Sequence, residues 1–150
     1  MRIALGADHA GYELKNLVRE YLTARGVTIT DEGTNDGASV DYPDFARKVA
    51  DDVVACRVDS GILVCGTGIG MAMAANKVHG IRAAAADNEF EAQMAREHND
   101  ANVLTMGARV IDAAMAEKIV EVWLKTQFAG GRHQKRVDKI MEIEREESKI

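Results

Sequence analysis

Apolar residues recur along the chain in two rhythms. Short apolar-rich runs, Arg2 to Ala7, Val27 to Asp31, Gly61 to Cys65, Ile81 to Ala86 and Val103 to Met106, predict five strands. Between them the apolar positions fall at helical spacing. Leu14, Leu17, Val18, Tyr21 and Leu22 share one face of a helix that Gly26 is placed to end. Phe45, Val49, Ala50 and Val53 repeat the pattern, with Pro43 suited to the first helical position. An alanine-rich helix comes after the third strand. Two more fit Asn88 to Glu97 and Asp112 to Gln127, the latter with Asp112 as its N-cap and Ile119, Val122 and Trp123 turned inward.

Strict alternation of strand and helix requires right-handed crossovers and a parallel sheet covered on both faces. The predicted fold class is therefore α/β, a Rossmann-like three-layer α/β/α sandwich with a five-stranded parallel sheet. Beyond it, Gly130 and Gly131 introduce a charged segment, Arg132 to Ile150, whose apolar members Val137, Ile140, Met141 and Ile143 predict an additional C-terminal helix. This helix extends no part of the sheet pattern, so it is either a lid over its own sheet or an arm toward a partner subunit; residues 131–150 are read as an arm. With 150 residues the chain closes one core, and residues 1–150 are read as a single domain.

Composition narrows the function classes. A formal charge of −5 and 5% aromatic residues argue against a nucleic-acid surface, which needs a basic patch to neutralise phosphates. No apolar run reaches membrane-spanning length, and MRIALGADHAG has no signal-peptide pattern. Cys56 and Cys65 lack CxxC spacing and suit a reducing compartment. A cytoplasmic location is expected, with no nucleic-acid or membrane partner.

Open parallel sheets bind ligands beyond the carboxyl ends of their strands. The first strand ends at Gly6-Ala7-Asp8-His9-Ala10-Gly11 and the third at Cys65-Gly66-Thr67-Gly68-Ile69-Gly70, while His98 to Asn102 lies just before the fifth. These polar and glycine-rich segments are expected to converge on one rim. The glycines at 66, 68 and 70 let backbone N–H groups crowd against an anion or a developing oxyanion. The loop is no dinucleotide fingerprint, which wants a third glycine at Met71, nor a Walker loop; a Cys-x5-Arg phosphatase loop would need Arg at Met71. Read alone, it is equally well explained as a tight strand-to-helix turn.

Cys65 lies just before a helix start, where loop amides and the helix dipole favour thiolate, although position alone favours a packed apolar cysteine. Cys56 is read as packing on a helix. His9 and His98 are candidate acid-base groups; His79 and His133 have less context. No histidine spacing matches a metal signature, so no metal or other cofactor is expected. Arg132 and Arg136 stand four apart and on a helix would project from one face, able to fork onto a phosphate, although read alone they better fit a solvated basic face; Arg109, after the fifth strand, is open to the same two readings.

Taken together, GADHAG, the Asp41-Tyr42-Pro43 turn, CGTGIG with AANK, REHNDANVL, GARV and GGRHQKRV resemble the type B ribose-5-phosphate isomerases, a family that also holds allose- and galactose-6-phosphate isomerases. The resemblance runs in order through nearly the whole chain. It implies interconversion of ribose 5-phosphate and ribulose 5-phosphate through an enediolate, without metal or cofactor. It further implies a homodimer, with pairing into tetramers left open, whose sites lie at the subunit interface. By resemblance, Cys65 moves the proton between the two carbons, His98 assists ring opening, and Thr67 with the amides of Gly66, Gly68, Ile69 and Gly70 stabilises the enediolate oxygen. Asp8 and Asn99 would bind sugar hydroxyls, and His9, Arg109, Arg132 and Arg136 the phosphate, some from the second subunit. A second subgroup places a glutamate base where this chain has Met71, so the cysteine mechanism is implied here. Alternatives are a six-carbon sugar phosphate as substrate, or a non-catalytic nucleotide-binding module suggested by Asp31 at the end of the second strand. A phospho-acceptor signalling domain would want an aspartate at Cys65.

Overall fold

The computed structural model describes residues 1–149. Strands β1 (Arg2–Ala7), β2 (Thr28–Asp31), β3 (Ser60–Cys65), β4 (Ala83–Ala85) and β5 (Val103–Gly107) form one parallel sheet in the order β2-β1-β3-β5-β4. Helices α1 (Tyr12–Thr23), α2 (Tyr42–Val54), α3 (Ile69–Ala75), α4 (Glu89–Glu97) and α5 (Ala113–Lys125) link and follow the strands, and α6 (Arg132–Glu147) comes last. The expected α/β/α sandwich is present. Side chains alternate along each strand, so Ile62 and Val64 of β3 pack with α1, α4 and α5, while Leu63 and Cys65 pack with α2 and α3. Burial on both faces explains why the central strands read as continuous apolar runs.

Local chemistry sets the element ends. The Asp112 carboxylate accepts the Met115 amide at 2.9 Å, the expected N-cap of α5. That helix stops at Lys125, short of Gln127, because Thr126 turns extended and its hydroxyl donates to the Val122 carbonyl. Strand β4 is shorter than the run Ile81 to Ala86, since the Asn102 side chain accepts the Arg82 amide at 2.8 Å and pairing with β5 begins at Ala83. Pro43 sits second in α2, after Tyr42.

Three expectations fail. Leu17 is 47% exposed, and Lys15 is buried in α1 instead. An ammonium is tolerated there because Asp31 Oδ1 and Asn35 Oδ1 accept from Nζ at 2.6 and 2.7 Å. Burial pushes the Asp31 carboxyl up, but hydrogen bonds from Lys15 and the Gly33 amide and the charges of Lys15 and Arg19 outweigh it and hold the group below its ordinary value. Cys56 packs on nothing: it is exposed, beyond the end of α2, in a left-handed conformation. The third failure concerns the rims and is described below.

Helix α6 lies beneath the amino ends of β4 and β5. Val137 is buried, Glu144 accepts the Gly80 amide at 3.1 Å, and Arg82 Nη1 meets Met141 Sδ at 3.4 Å. Ile140 and Ile143 nevertheless remain 45% and 61% exposed. Ile150, the last residue of the expected arm, lies outside the described residues.

Candidate active site

The carboxyl rim of β1, β3 and β5 carries a tightly built loop. After β3 the chain turns through Gly66, Thr67 and Gly68 into α3, and the Gly68 amide donates to Cys65 Sγ at 3.1 Å. Gly68 has a φ of +79° and lies so close to β5 that a β-carbon would stand 3.0 Å from the Met106 carbonyl carbon, so only glycine fits without strain. The Ile69 amide donates to Thr67 Oγ1 at 3.2 Å. Among the described residues the amides of Thr67 and Gly70 donate to no protein group. Helix α3 is only seven residues long, so these individual N–H groups, rather than a macrodipole, are the main electropositive features beside the thiol. Cys65 itself is 5% exposed, at the floor of the loop.

Asp8, His9 and Arg109 surround this floor. Asp8 is 7% exposed, and its Oδ1 accepts the Ala10 and Gly11 amides at 3.0 and 3.1 Å, which leaves Oδ2 for another donor. His9 Nδ1 accepts the Val40 amide at 3.2 Å. The Arg109 guanidinium lies across Gly66, with Nη1 3.1 Å from where a β-carbon would begin. No group of three metal-ligating side chains forms among the described residues.

The segment His98 to Asn102 does not join them. Gly61 pairs with Val103 and Cys65 with Gly107, so residues before Val103 belong to the amino rim, roughly 13 Å or more from the thiol at about 3.3 Å per strand residue. The expectation of a single rim is therefore wrong: a segment that precedes a strand enters at its amino end, and the carboxyl-end rule selects only residues that come after a strand. On the amino rim His98 caps the C-terminus of α4, and its ring stacks on His133 with centroids 4.1 Å apart and planes 13° apart. His133 lies in the first turn of α6, between the exposed Arg132 and Arg136. Burial first, then the charges of His98, Arg132 and Arg136, push His133 below its ordinary value. Neither Arg132 nor Arg136 makes an ion pair among the described residues. Asn99 is exposed beside them.

Sequence reasoning missed two groups. Thr105 is buried on β5, and its hydroxyl donates to the Gly68 carbonyl at 2.7 Å, fixing the loop under the thiol. One polar residue inside an otherwise apolar strand was the available signal. Tyr42 lies on Gly70, so a β-carbon there would meet the ring at 2.8 Å. Asp31, the feature behind the nucleotide alternative, is occupied by Lys15 and Arg19 at 2.6 and 2.7 Å.

Residues 3–140 match the family model described as Ribose/Galactose Isomerase. The chain is 48% identical over 143 residues to ribose-5-phosphate isomerase B of Escherichia coli, covering 95% of this chain and 96% of that one. It superposes on the ribose-5-phosphate isomerase B of Clostridium thermocellum with a TM-score of 0.96 at 52% identity, covering 97% and 99% of the two chains. The enzyme of Mycoplasma genitalium, solved with bound ribulose-5-phosphate, superposes with a TM-score of 0.92 at 46% identity over 97% of each chain. This chain belongs to the ribose/galactose isomerase family.

Proposed function

We propose that this chain is an aldose-ketose isomerase that interconverts ribose 5-phosphate and ribulose 5-phosphate, at sites that each draw on two copies of the chain. The observation that carries the chemistry is the Cys65 sulfur, held by the Gly68 amide beside the unpaired amides of Thr67 and Gly70. A base next to oxyanion donors is what proton removal beside a carbonyl requires.

His98 assists the opening of the furanose: the bond from C1 to the ring oxygen breaks as His98 gives that oxygen a proton, and His98 takes back the proton that the anomeric hydroxyl releases. The Cys65 thiolate then takes the proton from C2, the electron pair forms the C1=C2 bond, and the aldehyde oxygen becomes an oxyanion. The Thr67 hydroxyl and the amides of Thr67 and Gly70, which donate to no protein group among the described residues, meet that charge. The hydroxyl proton passes from O2 to O1, the Cys65 thiol gives its proton to C1, and the C2 carbonyl forms as the thiolate is restored. Asp8 and Asn99 hold sugar hydroxyls, while His9, Arg109, Arg132 and Arg136 hold the phosphate. Binding that dianion away from the reacting carbons supplies energy for positioning them. Met71 is fully buried and bears no proton-accepting group, which supports cysteine as the base. The scheme uses no metal.

The separation of the two rims supports a shared site. Cys65, Thr67, Asp8, His9 and Arg109 lie on one rim and His98, Asn99, Arg132 and Arg136 on the other, so a second copy must bring its amino rim to the first copy's carboxyl rim. A two-fold axis makes both contacts at once. Exposed apolar side chains stand beside each half: Ile69 and Met73 (55% and 65%) near the thiol loop, Ile140 and Ile143 on α6. This supports the arm reading of α6. No helix is long and apolar enough to cross a membrane; two free cysteines support a cytoplasmic location.

The test is steady-state isomerisation of ribose 5-phosphate beside allose 6-phosphate, in EDTA, for the native chain and for Cys65→Ala. Turnover of ribose 5-phosphate that Cys65→Ala abolishes is the expected result. Preference for the hexose would change the substrate, and no turnover of either by folded protein would overturn the proposal.

A further inference from the structure

The buried Lys15 is not explained by the reaction. It stands on α1, fully enclosed, with its ammonium shared between Asp31 and Asn35. Asp31 already has a second cation in Arg19, so a cheaper solution to neutralising it exists on the surface. What Lys15 alone does is reach Asn35, in the segment between β2 and α2.

That segment runs along the carboxyl rim as a strap with three attachments. At its start the Ala7 amide donates to the Gly33 carbonyl and the Thr34 amide donates to the Ala7 carbonyl, at 2.6 and 2.7 Å. In the middle Lys15 holds Asn35. At its end the Val40 amide donates to His9 Nδ1, two residues before Tyr42 settles on Gly70. From Asp36 to Ser39 the strap is exposed, and among the described residues its one hydrogen bond to a side chain is local, from the Ala38 amide to Asp36. The Lys15–Asn35 bond is thus the last firm tether before Val40.

The Val40 contact decides how His9 meets its ligand. A backbone N–H can only donate, so Nδ1 must present its lone pair, and the hydrogen of the neutral ring then sits on Nε2. The ring is fixed in orientation with Nε2–H as a donor. A phosphate oxygen is the matching acceptor.

We propose that Lys15 is a positioning residue for substrate binding: through Asn35 it tethers the strap, and through the Val40 amide the strap sets the tautomer and orientation of His9. The inference rests on the reading of His9 as a phosphate ligand. Lys15 itself is a poor target, because its removal takes one of two cations from a part-buried carboxylate. The tether is better cut at Asn35, whose side chain is otherwise free of the core.

KM and kcat for ribose 5-phosphate are measured for the full-length native chain, Asn35→Ala, Asn35→Asp, His9→Ala and the double variant His9→Ala/Asn35→Ala, with thermal melting as the folding control. Asn35→Ala is expected to raise KM about fivefold, the size of one lost hydrogen bond, with kcat changed less than about twofold. Asn35→Asp keeps an acceptor for the ammonium and stays near the native KM. In the His9→Ala background, Asn35→Ala adds nothing further. A native KM in Asn35→Ala while His9→Ala raises it, or a full Asn35→Ala effect that persists without His9, overturns the inference alone. A native KM in His9→Ala overturns the phosphate role beneath it.

Discussion

The two rims of the sheet solve opposite problems. On the carboxyl rim the groups that shape the loop are engaged with one another, the Gly68 amide on Sγ, the Gly68 carbonyl on Thr105, the Ile69 amide on Thr67 and Asp8 Oδ1 on two amides, while the amides of Thr67 and Gly70 have no protein partner among the described residues. On the amino rim, Arg132 and Arg136 are exposed cations without anionic partners among the described residues, and a buried histidine sits between them. The first region is a finished device for holding charge at a fixed point. The second is unfinished by itself, since concentrated like charge is stabilised only when an anion arrives. The difference teaches that the groups which the proposed site needs are divided between the two rims of one chain and are to be joined between two.

The largest break in that contrast is Cys65→Ala. It removes the proposed base while keeping a small apolar side chain at a 5% exposed position, so folding is expected to persist and kcat to fall by about 10³-fold or more, read by initial rates with melting as control. On the other rim Arg132→Ala raises KM for ribose 5-phosphate by roughly 10- to 100-fold, the range of a charge-assisted hydrogen bond, and lowers kcat less. Equal losses in kcat from both substitutions would erase the division of labour.

Smaller effects sharpen it. Thr105→Val removes the hydroxyl that holds the Gly68 carbonyl, and about 1 kcal/mol of stability with a severalfold drop in kcat is expected, measured by urea unfolding and initial rates. The smallest effect is a pH dependence. His133 is held below its ordinary value of 6.5, so below that pH the unfolded chain binds a proton that the native chain resists. The stability this residue contributes is complete above about pH 6.5 and is lost as pH falls through the window beneath it. Urea midpoints between roughly pH 5 and 7 should show that slope in the native chain and a shallower one in His133→Gln.

Much of this was legible in the sequence because the signals were local. The continuous apolar runs of β1, β3 and β5, the Asp112 cap and the glycine spacing of residues 66 to 70 each depend on neighbours a few positions away. Cys65, Asp8, His9 and Arg109 came from the rule about strand ends. What failed was nonlocal. Lys15 is absent from the predicted apolar face of α1, since only Asp31 and Asn35, distant in sequence, make its burial possible, and Leu17 stands exposed instead. His133 gains meaning only from its stack on His98, a residue 35 positions earlier. The rim assignment of His98 to Asn102 failed because nearness in sequence to β5 says nothing about which end of the strand is near. Cys56 showed the limit of residue-type statistics, since apolar preference did not prevent exposure at a helix end.

The central claim, that one site takes Cys65 from one chain and His98 from another, is tested by mixing inactive variants. Cys65→Ala and His98→Asn chains are unfolded together, refolded and assayed on ribose 5-phosphate, with subunit exchange verified by mass. A mixed dimer then holds one site with both native groups, and random pairing predicts about a quarter of native activity. Cys65→Ala mixed with Arg109→Ala, both on the carboxyl rim, should regain nothing beyond the activity that the Arg109→Ala chain already has. Recovery in the first mixture alone is the predicted result; no recovery despite proven exchange would contradict the account.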